Sequence, residues 1–129
     1  MTIFKDYKNN ITVRVEPKYD ELKSNPKKSL YIFSYDVFIT NNSQYRIQIK
    51  RRSFIITDAF FNIEYVEGEG IVGQTPILEP GGTYNYISFC HLKTSFGSMK
   101  GYYTATDEFG NSLKIIIPEF VLAHPYSIQ

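Results

Sequence analysis

Tryptophan is absent from this chain of 129 residues, and cysteine occurs only once, as Cys90. A single cysteine excludes an intrachain disulfide and offers no framework for a structural metal site. The formal net charge is only +1, so no field of one sign surrounds the molecule to attract nucleic acid or an anionic membrane. Binding of nucleic acid or a membrane is therefore not favoured.

Long apolar runs are also missing. The most apolar stretch, Leu30–Thr40, is short and contains Ser34 and Asp36, which excludes a membrane span there. The first ten residues contain no apolar run of signal-peptide length. We therefore expect a cytoplasmic protein without a signal peptide.

Aromatic residues are abundant, with 11 Tyr and 10 Phe, and they suit the half-buried surface of a β-sheet. Apolar residues recur at every second position, the period of a strand with one buried face. The predicted strands are Ile11–Val15, Tyr31–Ile39, Tyr45–Ile49, Ser53–Thr57, Ile63–Val66, Tyr84–Leu92, Met99–Thr106, Ser112–Ile117 and Phe120–Ala123. Asn41–Ser43 has turn composition, which predicts a hairpin between the second and third of these strands.

Regularly spaced strands without a helical pattern predict an all-β sandwich or small barrel. Pro118 is expected to separate the last two strands, because proline cannot donate to a sheet ladder. The length fits one domain. We place this domain at residues 11–123, between an N-terminal tail, 1–10, and a C-terminal tail, 124–129.

Gly68, Gly70 and Gly73 have the G-x-G-x-x-G spacing of dinucleotide-binding loops. In such folds the loop leads directly into a helix, and the N-terminus of that helix binds the pyrophosphate. Two prolines and two further glycines follow here, so no helix can begin, and the spacing predicts a bulge or sharp crossover. An anion site made by these glycines with Arg51 or Arg52 is the alternative.

A series of ordered motifs resembles the bacterial ApaG family over about Ile11–Leu122. The motifs are Arg52–Asp58, Val66–Pro76, Leu78–Gly81, Leu92–Thr94, Gly97–Tyr102 and Ile117–Leu122. The resemblance implies an immunoglobulin-like sandwich of the fibronectin type III kind, with about seven to nine antiparallel strands. The chain departs from the family at Ser53-Phe54, where His-Trp is usual, and at Ala59–Asn62, where a polar residue and glycine are typical.

The family resemblance implies no enzymatic reaction. It implies an association with tolerance of divalent cations such as cobalt and with magnesium movement. Similar domains occur fused to F-box proteins and in a DNA-polymerase-interacting protein, contexts that favour protein–protein contact. The family's proposed pyrophosphate loop falls on Gly68, Gly70 and Gly73.

Catalytic and metal-binding constellations are poorly supported by the sequence. Cys90 and His91 are neighbours in a predicted strand, so their side chains point to opposite faces and cannot readily share a metal ion. Cys90 is expected to be a small buried apolar residue. The chain lacks a G-x-S-x-G motif and has one other histidine, His124. We predict neither catalytic residues nor a cofactor.

Phe60 and Phe61 lie at a predicted hairpin tip. Two interpretations stay open: the rings pack onto the domain itself, or they form an exposed aromatic anchor for a protein partner. We therefore predict a non-enzymatic module that binds another protein of unknown identity. Binding of a phosphate or nucleotide at the glycine motif is the alternative, and binding of Mg²⁺ or Co²⁺ by Asp58 or by Glu67 and Glu69 is a third hypothesis.

Overall fold

The computed structural model describes residues 2–6 and 10–125, with side chains described from residue 10 onward. Within these residues the chain forms nine β-strands and one short 3₁₀ helix, Pro26–Lys28. The strands are β1 (Thr2–Asp6), β2 (Ile11–Tyr19), β3 (Tyr31–Asn41), β4 (Ile47–Asp58), β5 (Ile63–Glu69), β6 (Ile77–Leu78), β7 (Thr83–Leu92), β8 (Phe96–Asp107) and β9 (Ser112–Ala123).

The strands form two antiparallel sheets. The first sheet has the order β1-β2-β3-β7, and the second has the order β5-β4-β8-β9 with the short β6 also paired to β4. The two layers enclose one apolar core, which confirms the predicted β-sandwich. None of the helices in the described part of the chain is long and apolar enough to cross a membrane.

Alternation along the strands builds this core. The odd-numbered residues of β3 from Phe33 to Asn41 are buried, while the even-numbered residues are partly exposed. Three aromatic rings on different strands contact one another in the core. Tyr35 packs edge-on against Phe54, and Phe54 packs edge-on against Tyr103. Such contacts between aromatic rings add about 1 kcal/mol beyond the burial of their area.

A β-bulge at Lys50 changes which residues of β4 face the core. The register with β8 shifts between Ile49 and Arg51. Ile47 and Ile49 are buried before the bulge, whereas Phe54 and Ile56 are buried after it. The extra residue moves the inward face from odd to even positions, and Arg52 consequently lies on the core side of the sheet.

The predicted hairpin around Asn41–Ser43 is wrong. β3 pairs with β2 and β7, whereas β4 belongs to the other sheet, so residues 42–46 cross between the layers. The reason is the buried Asn41 side chain, whose amide donates to the carbonyls of Tyr45 at 2.8 Å and Leu78 at 3.0 Å. Its Oδ1 accepts from the backbone amide and hydroxyl of Ser43. Alternation locates strands but does not identify their partners.

The expected interruption at Pro118 is also wrong, because β9 runs unbroken from Ser112 to Ala123. Its register with β8 shifts between Met99 and Gly101, opposite Pro118. β9 is an edge strand, and a bulge on an edge accommodates a residue that lacks a backbone donor. The proline therefore deforms the ladder without ending it.

Thr2–Asp6 form β1 along β2, so this part of the predicted N-terminal tail belongs to the first sheet. The prediction failed because Ile3 and Phe4 are adjacent in sequence and show no period of two. In the predicted C-terminal tail, the His124 ring packs against Tyr19 with centroids 4.5 Å apart. Residues 1, 7–9 and 126–129 of the predicted tails lie outside the described residues.

Replacing Asn41 with Ala should lower the free energy of unfolding by about 2–3 kcal/mol, because two carbonyls lose their donor in a buried site. Urea unfolding would measure this loss. The matched variant Asn42→Ala removes an exposed amide that donates to Thr12 and should cost no more than about 0.5 kcal/mol. Equal losses in the two variants would contradict the role assigned to Asn41.

Candidate functional site

Two features flank β5 at its opposite ends. The phenylalanine tip, Asp58–Asn62, joins β4 to β5. The glycine loop, Gly68–Gln74, comprises the last two residues of β5 and the five residues after it. The sequence singled out both features as candidate binding sites.

The glycine loop closes on itself through backbone hydrogen bonds. The Ile71 amide donates to the Gln74 carbonyl at 2.6 Å, and the Gln74 amide donates back to Ile71 at 3.0 Å. Val72 and Gly73, between them, both have positive φ, 48° and 79°. This pattern is typical of a type I′ turn. The motif therefore forms a tight turn where a bulge or sharp crossover was predicted, and the positive φ expected of its glycines occurs at Gly70 and Gly73.

Arg52 binds the open end of this loop from the core side. Its guanidinium donates to the carbonyls of Glu69 at 3.0 Å and Gly70 at 3.2 Å. A Cβ at Gly68 would lie 2.8 Å from a guanidinium nitrogen, and a Cβ at Gly70 would overlap the Gln74 carbonyl. Gly68 therefore leaves room for Arg52, and Gly70 leaves room for the turn.

These contacts leave few groups to hold an anion. The Gly70 amide donates to the Lys50 carbonyl at 2.7 Å, in addition to the two amides used within the turn. Phosphate-binding loops direct successive amides outward, whereas this loop directs carbonyls at the arginine. Arg52 is thus committed to the loop itself, while Arg51 is exposed on β4, opposite Glu69 in the register.

At the other end of β5, an aspartate organises the phenylalanine tip. Asp58 Oδ1 accepts from the amides of Phe60 and Asn62, and the Asn62 side chain donates to Oδ2 at 2.9 Å. The Asn62 side chain is the main cause of the lowered pKa of the Asp58 carboxyl. Phe60 is 78% exposed and Phe61 is 83% exposed, so the two rings project from the domain.

Phe61 also has an unfavourable backbone conformation, with φ 65°. The β8–β9 turn shows the alternative, because Asp107 accepts from Phe109 and Asn111 in the same pattern. At the position equivalent to Phe61, that turn has Gly110 with φ 84°. A left-handed conformation costs a residue with a side chain roughly 1 kcal/mol, and the phenylalanine tip bears this cost whereas the second turn avoids it.

Exposed apolar residues continue from the tip across the second sheet. One cross-strand row runs from Ile63 through Thr57 and Ser98 to Val121. Tyr65, which is 71% exposed, lies in the next row. The apolar outer face, as we call it, comprises Phe60, Phe61, Ile63, Tyr65, Phe96, Ile116 and Val121. Polar residues, among them Thr57 and Ser98, lie between these apolar side chains, so the set is an interspersed apolar face on the same side of the sheet as the tip.

Nucleophilic and metal-binding groups are separated in the fold. Cys90 is buried, and desolvation raises the pKa of its thiol to about 12, so the thiol stays protonated. The neighbouring His91 is exposed, as the alternation predicted. In the described part of the chain, no three His, Cys, Asp or Glu side chains are grouped closely enough to hold a metal ion.

The structure thus brings Gly68, Gly70 and Arg52 together and keeps Phe60 and Phe61 exposed. Tyr65, Ile63 and Val121, which lie on the same side of the sheet, were not predicted as part of this surface. Alternation could have placed Ile63 and Tyr65 on one face of β5, but it does not tell which face is buried. Strand order, which sequence pattern does not give, adds Val121 to that face.

A family model, related sequences and a solved structure all indicate the same protein family for this chain. Residues 21–107 match the family model described as the ApaG domain. The chain is 40% identical over 120 residues to Protein ApaG of Bordetella pertussis, covering 93% of this chain and 92% of the relative. It is 44% identical over 115 residues to Protein ApaG of Brucella suis, covering 89% and 88%. A crystal structure of a Bordetella pertussis ApaA protein matches with a TM-score of 0.89 and 41% identity, covering 92% of this chain and 96% of that chain.

The two arginines of the predicted anion site should differ sharply in their effect on stability. Arg52→Ala leaves the Glu69 and Gly70 carbonyls without their charged donor and should lower the free energy of unfolding by about 1–3 kcal/mol. Arg51→Ala removes an exposed side chain and should cost no more than about 0.5 kcal/mol. Urea unfolding of both variants measures the difference. An Arg52→Ala protein as stable as its parent would refute the structural role.

Proposed function

The chain belongs to the ApaG domain family, and on this premise we propose that it is a non-enzymatic module that binds another protein through the phenylalanine tip. The apolar outer face of the second sheet extends the contact. One observation carries the proposal: Phe61 is 83% exposed and adopts a left-handed backbone conformation. A ring kept in water at a cost in backbone energy is explained by a partner that covers it.

The chemistry of the tip supports a protein as partner. Aromatic side chains form the anchors of most protein interfaces, because a few rings in well-packed pockets supply most of the binding energy. Phe60 and Phe61 offer two such rings. Residues on β5 and β9 provide the surrounding contacts that exclude water, chiefly Ile63, Tyr65 and Val121.

The turn also supports this assignment by its rigidity. Asp58 accepts two backbone amides and one side-chain amide within five residues, and the Ala59 amide donates to the Thr94 hydroxyl at 3.0 Å. The backbone that carries both rings is therefore fixed before a partner arrives. Preorganisation reduces the entropy lost on binding.

The separation of reactive groups favours binding over catalysis. Nucleophilic catalysis requires a nucleophile within hydrogen-bond reach of a base. The Cys90 thiol is buried and protonated, and His91 lies on the opposite face of β7. His124 packs against the rings of Tyr19 and Tyr31.

Replacing both Phe60 and Phe61 with Ser should reduce partner capture at least tenfold, since hot-spot aromatics contribute about 2 kcal/mol each. Capture by the immobilised chain from a lysate, followed by mass spectrometry, measures the effect. Phe109→Ser is the matched control, because Phe109 is 68% exposed on the equivalent turn. Unchanged capture by the double variant would exclude this surface.

Site-specific cross-linking provides an independent measurement. A photoreactive phenylalanine analogue at position 61 should cross-link to the captured protein, and the same analogue at position 109 should not. Equal cross-linking from the two positions would indicate non-specific contact and contradict the proposal.

Phe61→Gly should separate stability from binding. Glycine adopts positive φ without a steric cost, although it also gives the unfolded chain more freedom. We therefore expect the free energy of unfolding to rise by about 0.5 kcal/mol, while partner capture falls. Thermal unfolding and the capture assay measure the two effects. A destabilised Phe61→Gly protein would show that the ring supports the fold and is not held for a partner.

A further inference from the structure

The free edge of the first sheet is formed by β7, which has unusual composition for an edge strand. None of its ten residues, TYNYISFCHL, is charged, and the strand contains neither proline nor glycine. Proteins protect sheet edges with charge, proline or bulges, because an unprotected edge can pair with another strand. β7 shows none of these protections.

The other edges are protected. β5 carries Glu64, Glu67 and Glu69 among its seven residues. β9 carries Lys114, Pro118 and Glu119 together with a register shift, and the sequence of β1 ends in Lys5-Asp6. Among the edge strands longer than the two-residue β6, the lack of charge, proline and glycine is therefore specific to β7.

The backbone of β7 presents alternate groups to this edge. The backbone N–H of Asn41 donates to the Gly82 carbonyl. The odd-numbered residues of β3 therefore direct their backbone groups toward β7. Their register partners on β7 are even-numbered, as in Tyr35–Ser88. In an antiparallel ladder the intervening residues point the other way. The amides and carbonyls of Asn85, Ile87, Phe89 and His91 therefore face the free edge.

The same odd-numbered residues carry the exposed side chains. Ile87 is 55% exposed and Phe89 is 50% exposed on the outer face of the sheet. They lie symmetrically about Ser88. A two-fold axis through Ser88 pairs each Ile87 with Phe89 of a second copy and forms the hydrogen-bonded residue pairs that the free backbone groups allow.

Two charges beside β7, one in the turn after β2 and one on β3, fit this arrangement. The Lys23 ammonium lies 4.0 Å from the centre of the Phe89 ring, and Asp36 is the register partner of Ile87 on β3. In the paired sheet, Phe89 and its Lys23 share a cross-strand row with Ile87 and Asp36 of the second copy. The row thus brings opposite charges toward each other, and the uncharged β7 places no like charges in contact.

We propose that two copies of this chain associate by antiparallel pairing of their β7 strands about Ser88, which joins two four-stranded sheets into one continuous sheet. The proposed contact uses the edge of the first sheet, whereas the phenylalanine tip belongs to the second sheet. The two contacts depend on different side chains, Ile87 and Phe89 for dimerisation and Phe60 and Phe61 for partner capture, so substitutions test them separately.

Sedimentation equilibrium of the full chain should show a reversible dimer within the range up to about one millimolar chain. Ile87→Lys should raise its dissociation constant at least tenfold, because the lysine would replace an apolar contact and would face the like-charged Lys23 that covers Phe89 of the second copy. Val121→Lys, at a comparably exposed position on β9, should leave the constant unchanged. The proposal would be overturned if the chain were monomeric throughout this range, or if the dimer were insensitive to Ile87→Lys. The β7 edge would then be available to pair with an extended segment of another protein.

Two further measurements test the register. Combining Ile87→Lys with Phe89→Glu sets opposite charges against each other across the axis and should restore dimerisation relative to Ile87→Lys, in a salt-sensitive manner. Amide exchange of Ile87, Phe89 and His91 should slow as the chain concentration rises, because only dimerisation protects these amides. Circular dichroism would confirm that the double variant is folded. A folded double variant that stays monomeric would refute pairing about Ser88. Unprotected amides at these positions in a dimer would refute it as well.

Discussion

The β-bulge at Lys50 is the constraint on which the arrangement around β4 depends. Without the extra residue, Arg51 would face the core and Arg52 would face water. With it, the half-buried side chain of Arg52 lies on the core side of β4, with its guanidinium next to the start of the glycine loop. The carbonyls of Glu69 and Gly70 accept hydrogen bonds from the guanidinium, and Gly68 provides the space. In a motif whose spacing suggests a ligand, Gly68 is thus explained by the inward-facing arginine, and Gly70 and Gly73 are explained by the tight turn.

Much of the fold could be predicted from alternation, because burial on one face is a local property of a strand. The buried odd-numbered residues of β3 and the even-numbered residues of β7 follow the pattern in the sequence. The connections between strands were harder to predict from the sequence. Asn41, for example, determines the crossing between the layers through a hydrogen bond to Leu78, a residue distant in sequence. The β9 bulge at Pro118 likewise depends on the strand's position at an edge.

The candidate site was predictable in its residues but not in its geometry. The sequence identified Phe60 and Phe61, yet ring exposure follows from how the Asp58 turn projects beyond the sheets. The glycine loop posed the opposite difficulty. Its spacing was visible, but the direction of its amides and carbonyls depends on Arg52 and on the turn at Val72 and Gly73. Backbone direction is a three-dimensional property that residue types do not encode individually.

The distribution of strands between layers has a consequence for biosynthesis. The first sheet needs β7, which ends at Leu92, and the second needs β9, which ends at Ala123. Neither layer can close while the chain is only half translated, since each sheet draws strands from both halves. Nascent chains therefore expose the apolar faces of β2, β3 and β4 until the later strands that pair with or cover them are made. Because of this architecture, the growing polypeptide is most prone to aggregate before it is released from the ribosome.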